Sequence, residues 1–181
     1  SLNNNYYQAH FNLGNSLQKL NKIDEAESEY KKAIALKSDY LMAYNNLGLI
    51  LKDKGKLDEA ESYLIQAIQI KPEFAELHNN IGNVFKRLGK LNDAEEAFRT
   101  SIKLEPDNFQ SIFNLSTLLN QMNRGSQSRQ LLEKNLKKFN GNFALMAMVE
   151  LAISSFLNDD LIKSKKYLSE SKELEKMINI E

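Results

Sequence analysis

The chain has 181 residues, with Lys plus Arg equal to Asp plus Glu at 24 each, so no net field draws it to nucleic acid or to an anionic membrane. It contains no cysteine, which excludes disulfides, thiolate metal sites and a thiol nucleophile and suits a reducing, cytoplasmic setting. The longest apolar stretch, 143–157, is broken by Glu150, Ser154 and Ser155 and is too short to span a bilayer, and the start shows no signal-peptide pattern. The chain opens on Ser1-Leu2 in place of a methionine, as a segment of a longer protein would.

From Tyr7 onward a unit of 34 residues recurs, over 7–40, 41–74, 75–108 and 109–142. Leu13, Leu47, Ile81 and Leu115 share one column of this repeat, and Asn12, Asn46, Asn80 and Asn114 the column before it. Gly14, Gly48 and Gly82 form a third column, and Ala26, Ala60 and Ala94 a fourth. Such a period implies a solenoid of stacked units, none of which buries its apolar face alone.

Within each unit the apolar residues recur at helical spacing in two blocks, as in Tyr44, Leu47, Leu51 and then Leu57, Ala60, Leu64, Ala67, Ile70. Between the blocks Gly55, and Gly89 in the next unit, suits a left-handed helix end, with Asn21 and Asn123 standing in elsewhere. Pro72 and Pro106 stop the second helices. Each unit is therefore an antiparallel helix pair. A glycine inside the first helix costs about 1 kcal/mol relative to alanine, so its recurrence at one phase implies close packing against the second helix. The Ala26, Ala60, Ala94 column is expected to supply the matching small residues.

The fourth unit departs from this pattern: Ser116 replaces the glycine, Ser128 the alanine and Asn140 the proline, and Asn135 takes a usually small position. A degenerate fifth unit, 143–178, needs about two extra residues near Leu157–Asp160 to bring Ser164, Leu168 and Ser171 into phase. Its segment Phe143-Ala-Leu-Met-Ala-Met-Val is apolar on nearly every side and reads as a helix buried all round. Either the fourth unit and an amphipathic helix from about Asp160 to Met177 bury it, or Met146 or Met148 faces a further repeat, a second domain or another copy, so helix 143–157 is a candidate for self-association.

These residues carry a family resemblance. The chain resembles a tetratricopeptide repeat (TPR) array: the second unit reads Tyr44, Leu47-Gly48, Leu51, Ala60, Leu64, Pro72, and the third His78, Ile81-Gly82, Phe85, Ala94, Phe98, Pro106. The resemblance implies a single array over 1–181, all-α, folded as a right-handed α-solenoid of antiparallel helix pairs. It also implies a protein-interaction module, not an enzyme, with no cofactor and no metal.

In the family the first helices line a concave groove. Carried over by position, that groove presents Gln8, Phe11, Asn12, Asn15, then Asn45, Asn46, Leu49, then Glu76, Asn79, Asn80, Asn83, then Gln110, Phe113, Asn114, Thr117. Asparagine side chains carry the same donor and acceptor groups as a peptide bond. The column Asn12, Asn46, Asn80, Asn114 resembles the asparagine ladder in the TPR region of O-linked N-acetylglucosamine transferases, where it holds substrate backbones. Asn12, Asn15, Asn46, Asn80, Asn83 and Asn114 are accordingly the expected peptide-binding residues. The alternative is that the chain recruits substrates for a larger enzyme such as a glycosyltransferase.

Other functions fit less well. Some TPR domains clamp an acidic C-terminal tail of chaperones with lysines and an arginine, but the matching positions here are Phe11, Asn15, Asn46, Glu76 and Asn80, which lack the cations. Lys19, Lys52, Lys86 and Arg87 are solvated charges near helix C-termini, and Asp24-Glu25, Asp58-Glu59 and Asp93 open second helices, both as the helix dipole favours. His10 and His78 sit two units apart and cannot share a metal. Zero net charge argues against RNA as the ligand.

Overall fold

The computed structural model describes residues 6–157 and 160–178. The described residues form an all-α solenoid of helices arranged in sequential antiparallel pairs. The chain divides into two compact units, residues 1–88 and 89–181.

The first unit contains α1 (Tyr6–Lys19), α2 (Ile23–Leu36), α3 (Leu41–Asp53), α4 (Leu57–Ile70) and α5 (Ala75–Arg87). α1 pairs with α2 and α3 with α4, while α2 stacks on α3 and α4 on α5. The stacking core is built from Tyr44, Ala67 and Leu77, with Ile34, Leu41, Tyr63, Ile68 and Phe74 closing around it.

The helix ends follow from single residues. Asn21 and Gly55 adopt φ of 59° and 77°, and the next residue's N–H reaches back to close the helix, Lys22 to the Leu17 carbonyl and Lys56 to that of Leu51, both at 2.9 Å. This is the Schellman closure that a left-handed residue permits. In the second unit Asn123 does the same at φ 57°, with Arg124 N–H on the Leu119 carbonyl at 2.8 Å. The turn residues expected from sequence all take the left-handed conformation, Gly89 at φ 75° included. α4 ends two residues before Pro72.

The glycine column packs closely, but its main contact is not the alanine column. A Cβ added at Gly14 would sit 2.7 Å from Tyr30 Cε1, and one at Gly48 would sit 2.7 Å from Leu64 Cγ. Large residues four positions beyond the alanines thus fill the space that the glycines vacate. The alanine contributes through its backbone, the Ala60 carbonyl oxygen lying 3.5 Å from the same point.

The second unit contains α6 (Leu91–Leu104), α7 (Phe109–Gln121), α8 (Gly125–Asn135), a 3-10 turn (Leu136–Lys138), α9 (Gly141–Phe156) and α10 (Leu161–Ile178). α7 pairs with α8 and α9 with α10, with α6 stacked on α7 and α8 on α9. Phe109, Ile112, Leu132, Ala147 and Leu151 form its core. Asn108 caps α7, its side chain accepting the Ser111 N–H at 3.1 Å.

α9 begins 16 residues after the start of α8, where α3, α5 and α7 each begin 18 after the start of the helix before them. α10 then begins 20 after the start of α9 in place of 16, so the extra residues of the fifth pair fall between the start of α9 and the start of α10. Leu115-Ser116 are buried in α7, and the buried residues 36 positions on are Leu151-Ala152, whereas Val149, 34 on, is exposed. The 3-10 turn stands where the last turn of the earlier second helices is α-helical, and α9 opens on Gly141, at φ 49°. Ser164 and Ser171 are buried as expected, but Leu168 is 44% exposed where Tyr30, Leu64, Phe98 and Leu132 are fully buried. Asn158 and Asp159, within the stretch expected to hold the insertion, lie outside the described residues.

The expectation of an α9 buried all round is overturned. Ala144, Ala147, Leu151 and Ala152 face the core, while Phe143, Met146, Val149, Ile153 and Phe156 are exposed along the other face. The helices packed on α9 cover one side of it only, so uniform hydrophobicity does not translate into uniform burial.

Candidate functional site: amides on the first helices

In the first unit the amides of successive first helices are tied to one another. Asn46 of α3 donates through Nδ2 to Asn15 Oδ1 of α1 at 3.0 Å. Asn80 of α5 donates to Asn45 Oδ1 of α3 at 2.8 Å, and Asn45 in turn donates to Glu76 Oε1 at 3.4 Å. The column therefore bridges α1 to α3 and α3 to α5, pairing each column residue with a different neighbour on the preceding helix.

Tyr30 of α2 anchors the first bridge. Its buried ring fills the space above Gly14, and its hydroxyl reaches Asn15 Oδ1 at 2.7 Å and Gln18 Oε1 at 2.9 Å, while Asn46 Nδ2 lies 3.4 Å away. Burial pushes the Tyr30 phenol above its ordinary pKa, against the Asn46 hydrogen bond, which pulls it down. The phenol thus stays a donor. Neither Tyr30 nor Gln18 was visible as a site residue in the sequence, because the Tyr30 column reads Leu64, Phe98 and Leu132 in the later units and looks purely apolar.

The remaining predicted residues are placed differently. Asn12 is exposed, and its backbone carbonyl accepts from Ser16 Oγ at 2.9 Å. Asn83 is half-buried and donates to the Asn79 carbonyl of its own helix at 3.0 Å. In the second unit Asn114 accepts from Gln110 Nε2 at 3.2 Å. Counting by the 36-residue spacing, the position after Asn114 in its column is Glu150, which is buried and accepts from Asn120 Nδ2 at 2.5 Å.

The internal bonds leave part of the Asn46 and Asn15 amides unengaged. Among the described residues Asn46 Oδ1, Asn15 Nδ2 and the whole Asn12 side chain have no protein partner. Asn46 and Asn15 are half-buried, so these groups border solvent. Their chemistry is that of neutral hydrogen bonding, with the protonated Tyr30 hydroxyl holding the Asn15 oxygen in place.

The histidines are occupied locally. His10 Nδ1 lies 2.6 Å from Glu29 Oε2, and His78 Nε2 donates to the Pro72 carbonyl at 2.7 Å. Among the described residues no group of three or more His, Asp or Glu side chains could hold a metal. Nor is any described helix long and apolar enough to cross a membrane.

Tetratricopeptide repeat models match residues 7–40 and 75–108, and a TPR repeat model matches residues 48–89, together more than half of the chain. The chain belongs to the tetratricopeptide repeat family. Among solved structures, the TPR array is similar to MamA, at TM-score 0.84 and 17% identity, over 95% of this chain and 93% of that one. It is similar to YrrB, described as a TPR protein with an unusual peptide-binding site, at TM-score 0.74 and 18% identity, over 91% of this chain and 84% of that one. It is also similar to the nearly identical TPR-like repeats of a putative kinesin light chain from Podospora anserina, at TM-score 0.81 and 15% identity, over 96% of each chain. At these identities the likeness establishes the fold. No curated protein matches the chain at a significant level.

Proposed function

We propose that this TPR array is a protein-interaction module that holds an extended peptide through the amides of its first helices. The supporting observation is the pair of bridges Asn15–Asn46 and Asn45–Asn80, which set peptide-like amides in fixed orientations while leaving Asn46 Oδ1, Asn15 Nδ2 and Asn12 unspent. A side-chain amide offers a peptide backbone the same donor and acceptor that a neighbouring strand would. Being held in place beforehand, it loses little rotamer entropy on binding. Recognition of this kind tolerates many side chains, as in the glycosyltransferase TPR region that the column resembles. In this reading repeats 7–40, 41–74, 75–108, 109–142 and the fifth pair form one array, with Asn83 and Asn114 extending the surface.

The test is retention of a random decapeptide library on the immobilised chain, compared with Asn12→Ala/Asn46→Ala/Asn114→Ala. The library retained by the natural chain is expected to be broad in sequence and to be lost from the variant, with circular dichroism confirming that the variant is folded. Equal retention by both chains sinks the proposal.

A further inference from the structure

One side of α1 carries the columns that α3, α5 and α7 bury completely. Ala43, Leu47 and Ile50 on α3, Leu77, Ile81 and Val84 on α5, and Ser111, Leu115 and Leu118 on α7 stand at matching steps of the repeat, each 3% exposed or less. Their counterparts on α1 are Ala9, Leu13 and Ser16, and all three are exposed, Leu13 at 48%. Intervals of four and three residues put them on one side of the helix. That side is not the one that meets the partner within the pair, since Gly14, against Tyr30 of α2, is buried.

The later repeats show what covers this side: the second helix of the preceding pair. Leu77 shares a core with Ala67 of α4, with Ile68 packed against it, and the Ser111 hydroxyl meets Ser101 Oγ of α6 at 2.7 Å. The covering helices offer the same two residues each time, a small one and then isoleucine: Ala33-Ile34, Ala67-Ile68 and Ser101-Ile102. The small residue is fully buried in all three. On α1, Ala9 and Ser16 are small on either side of Leu13, which lets a helix approach closely. None of the three is charged, whereas a unit that closes an array needs a polar outer face. The register of the repeat also runs on ahead of Tyr7. Leu2 falls in the column of Leu36, Ile70 and Leu104, the last residues of α2, α4 and α6, and Tyr6 in that of Tyr40 and Phe74. We propose that the outer side of α1 is the seat of a further second helix, carried by a tetratricopeptide unit ahead of α1 in the same chain and meeting Leu13 through a small residue and an isoleucine.

The test joins a second copy of residues 41–74 directly to Tyr7, which keeps the 34-residue register across the junction. The extended chain is expected to melt about 5 °C or more above the natural one. Its α1 amides should exchange about tenfold or more slowly, because α1 is then covered on both sides. Leu13→Asp separates this seat from a general effect of length. In the natural chain, where Leu13 is exposed, it should barely move the melting temperature. In the extended chain it should remove both gains. An extended chain that gains neither stability nor protection, or gains that survive Leu13→Asp, overturns the proposal. So does α1 protection in the natural chain that rises with protein concentration and is lost with Leu13→Asp, since a second copy would then hold this side.

Discussion

Gly48 shows how a residue read as helix-weakening becomes a packing requirement. Alanine is the better helix former by about 1 kcal/mol, yet its Cβ would lie 2.7 Å from Leu64 Cγ, a branch point fixed in a fully buried side chain. Overpacking typically costs about 1–3 kcal/mol, so it wins. Gly48→Ala should lower the melting temperature, and combined with Leu64→Ala, itself costly because it opens a cavity in the core, it should give a loss smaller than the sum of the two single losses. Additive losses would show that the two do not touch. Asn21 and Asn123 make the complementary case. With φ near 60° at both, replacement by alanine should cost about 1–2 kcal/mol each, while replacement by glycine should leave thermal stability unchanged or raised. The sequence column of Gly and Asn was enough to place these turns, because only the backbone conformation at one position decides them.

Between elements, ion pairs fasten one helix pair to the next. Lys54, at the end of α3, reaches Asp24 and Glu27 of α2 at 2.6 Å each, and Glu27 also takes Lys31 at 2.6 Å. Burial alone would raise the Glu27 pKa, but the hydrogen bonds and charges of Lys31 and Lys54 outweigh it and hold the carboxyl at about 2 against 4.5. Stability from this group is therefore fully present above pH 4.5 and is lost as pH falls toward 2. Glu27→Gln should show a smaller drop in melting temperature over that window than the natural chain. An equal drop in both would assign the acid sensitivity to other carboxylates. In the second unit Glu95 stands at a comparable junction, with Arg124 and then Arg99 lowering its pKa. Glu27, Glu61 and Glu95 share one column and Lys56, Lys90 and Arg124 another, and Lys56 also approaches Glu27, at 3.9 Å. Lys54 lies outside that cation column, so its pairing with Glu27 emerges only when the helices stack.

Over the whole molecule, stability is expected to follow how much apolar surface each helix buries. α4 buries Ala60, Leu64 and Ala67, whereas α10 buries only Ser164 and Ser171 fully, with Leu168 exposed. A repeat array loses structure first where a helix has the fewest partners. Amide hydrogen exchange should thus be faster along α10 than along α4. Protection in α10 equal to that in α4 would mean that something covers Leu168 in solution.

The family, the helix pairs and their turns were legible in the sequence because they depend on periodicity and on residues with few allowed conformations, such as Gly55, Asn123 and Pro72. The asparagine column was equally plain as a pattern. What the pattern could not tell is that Asn46 and Asn80 spend donors on Asn15 and Asn45, because a hydrogen bond between residues 31 or 35 apart depends on how two helices cross. The same limit hid the Tyr30 hydroxyl within an apolar column. It also hid the two-sided nature of α9, whose side chains are apolar on both faces while its neighbours cover only one. Composition sets what a helix is able to bury, and packing decides which part of it is buried.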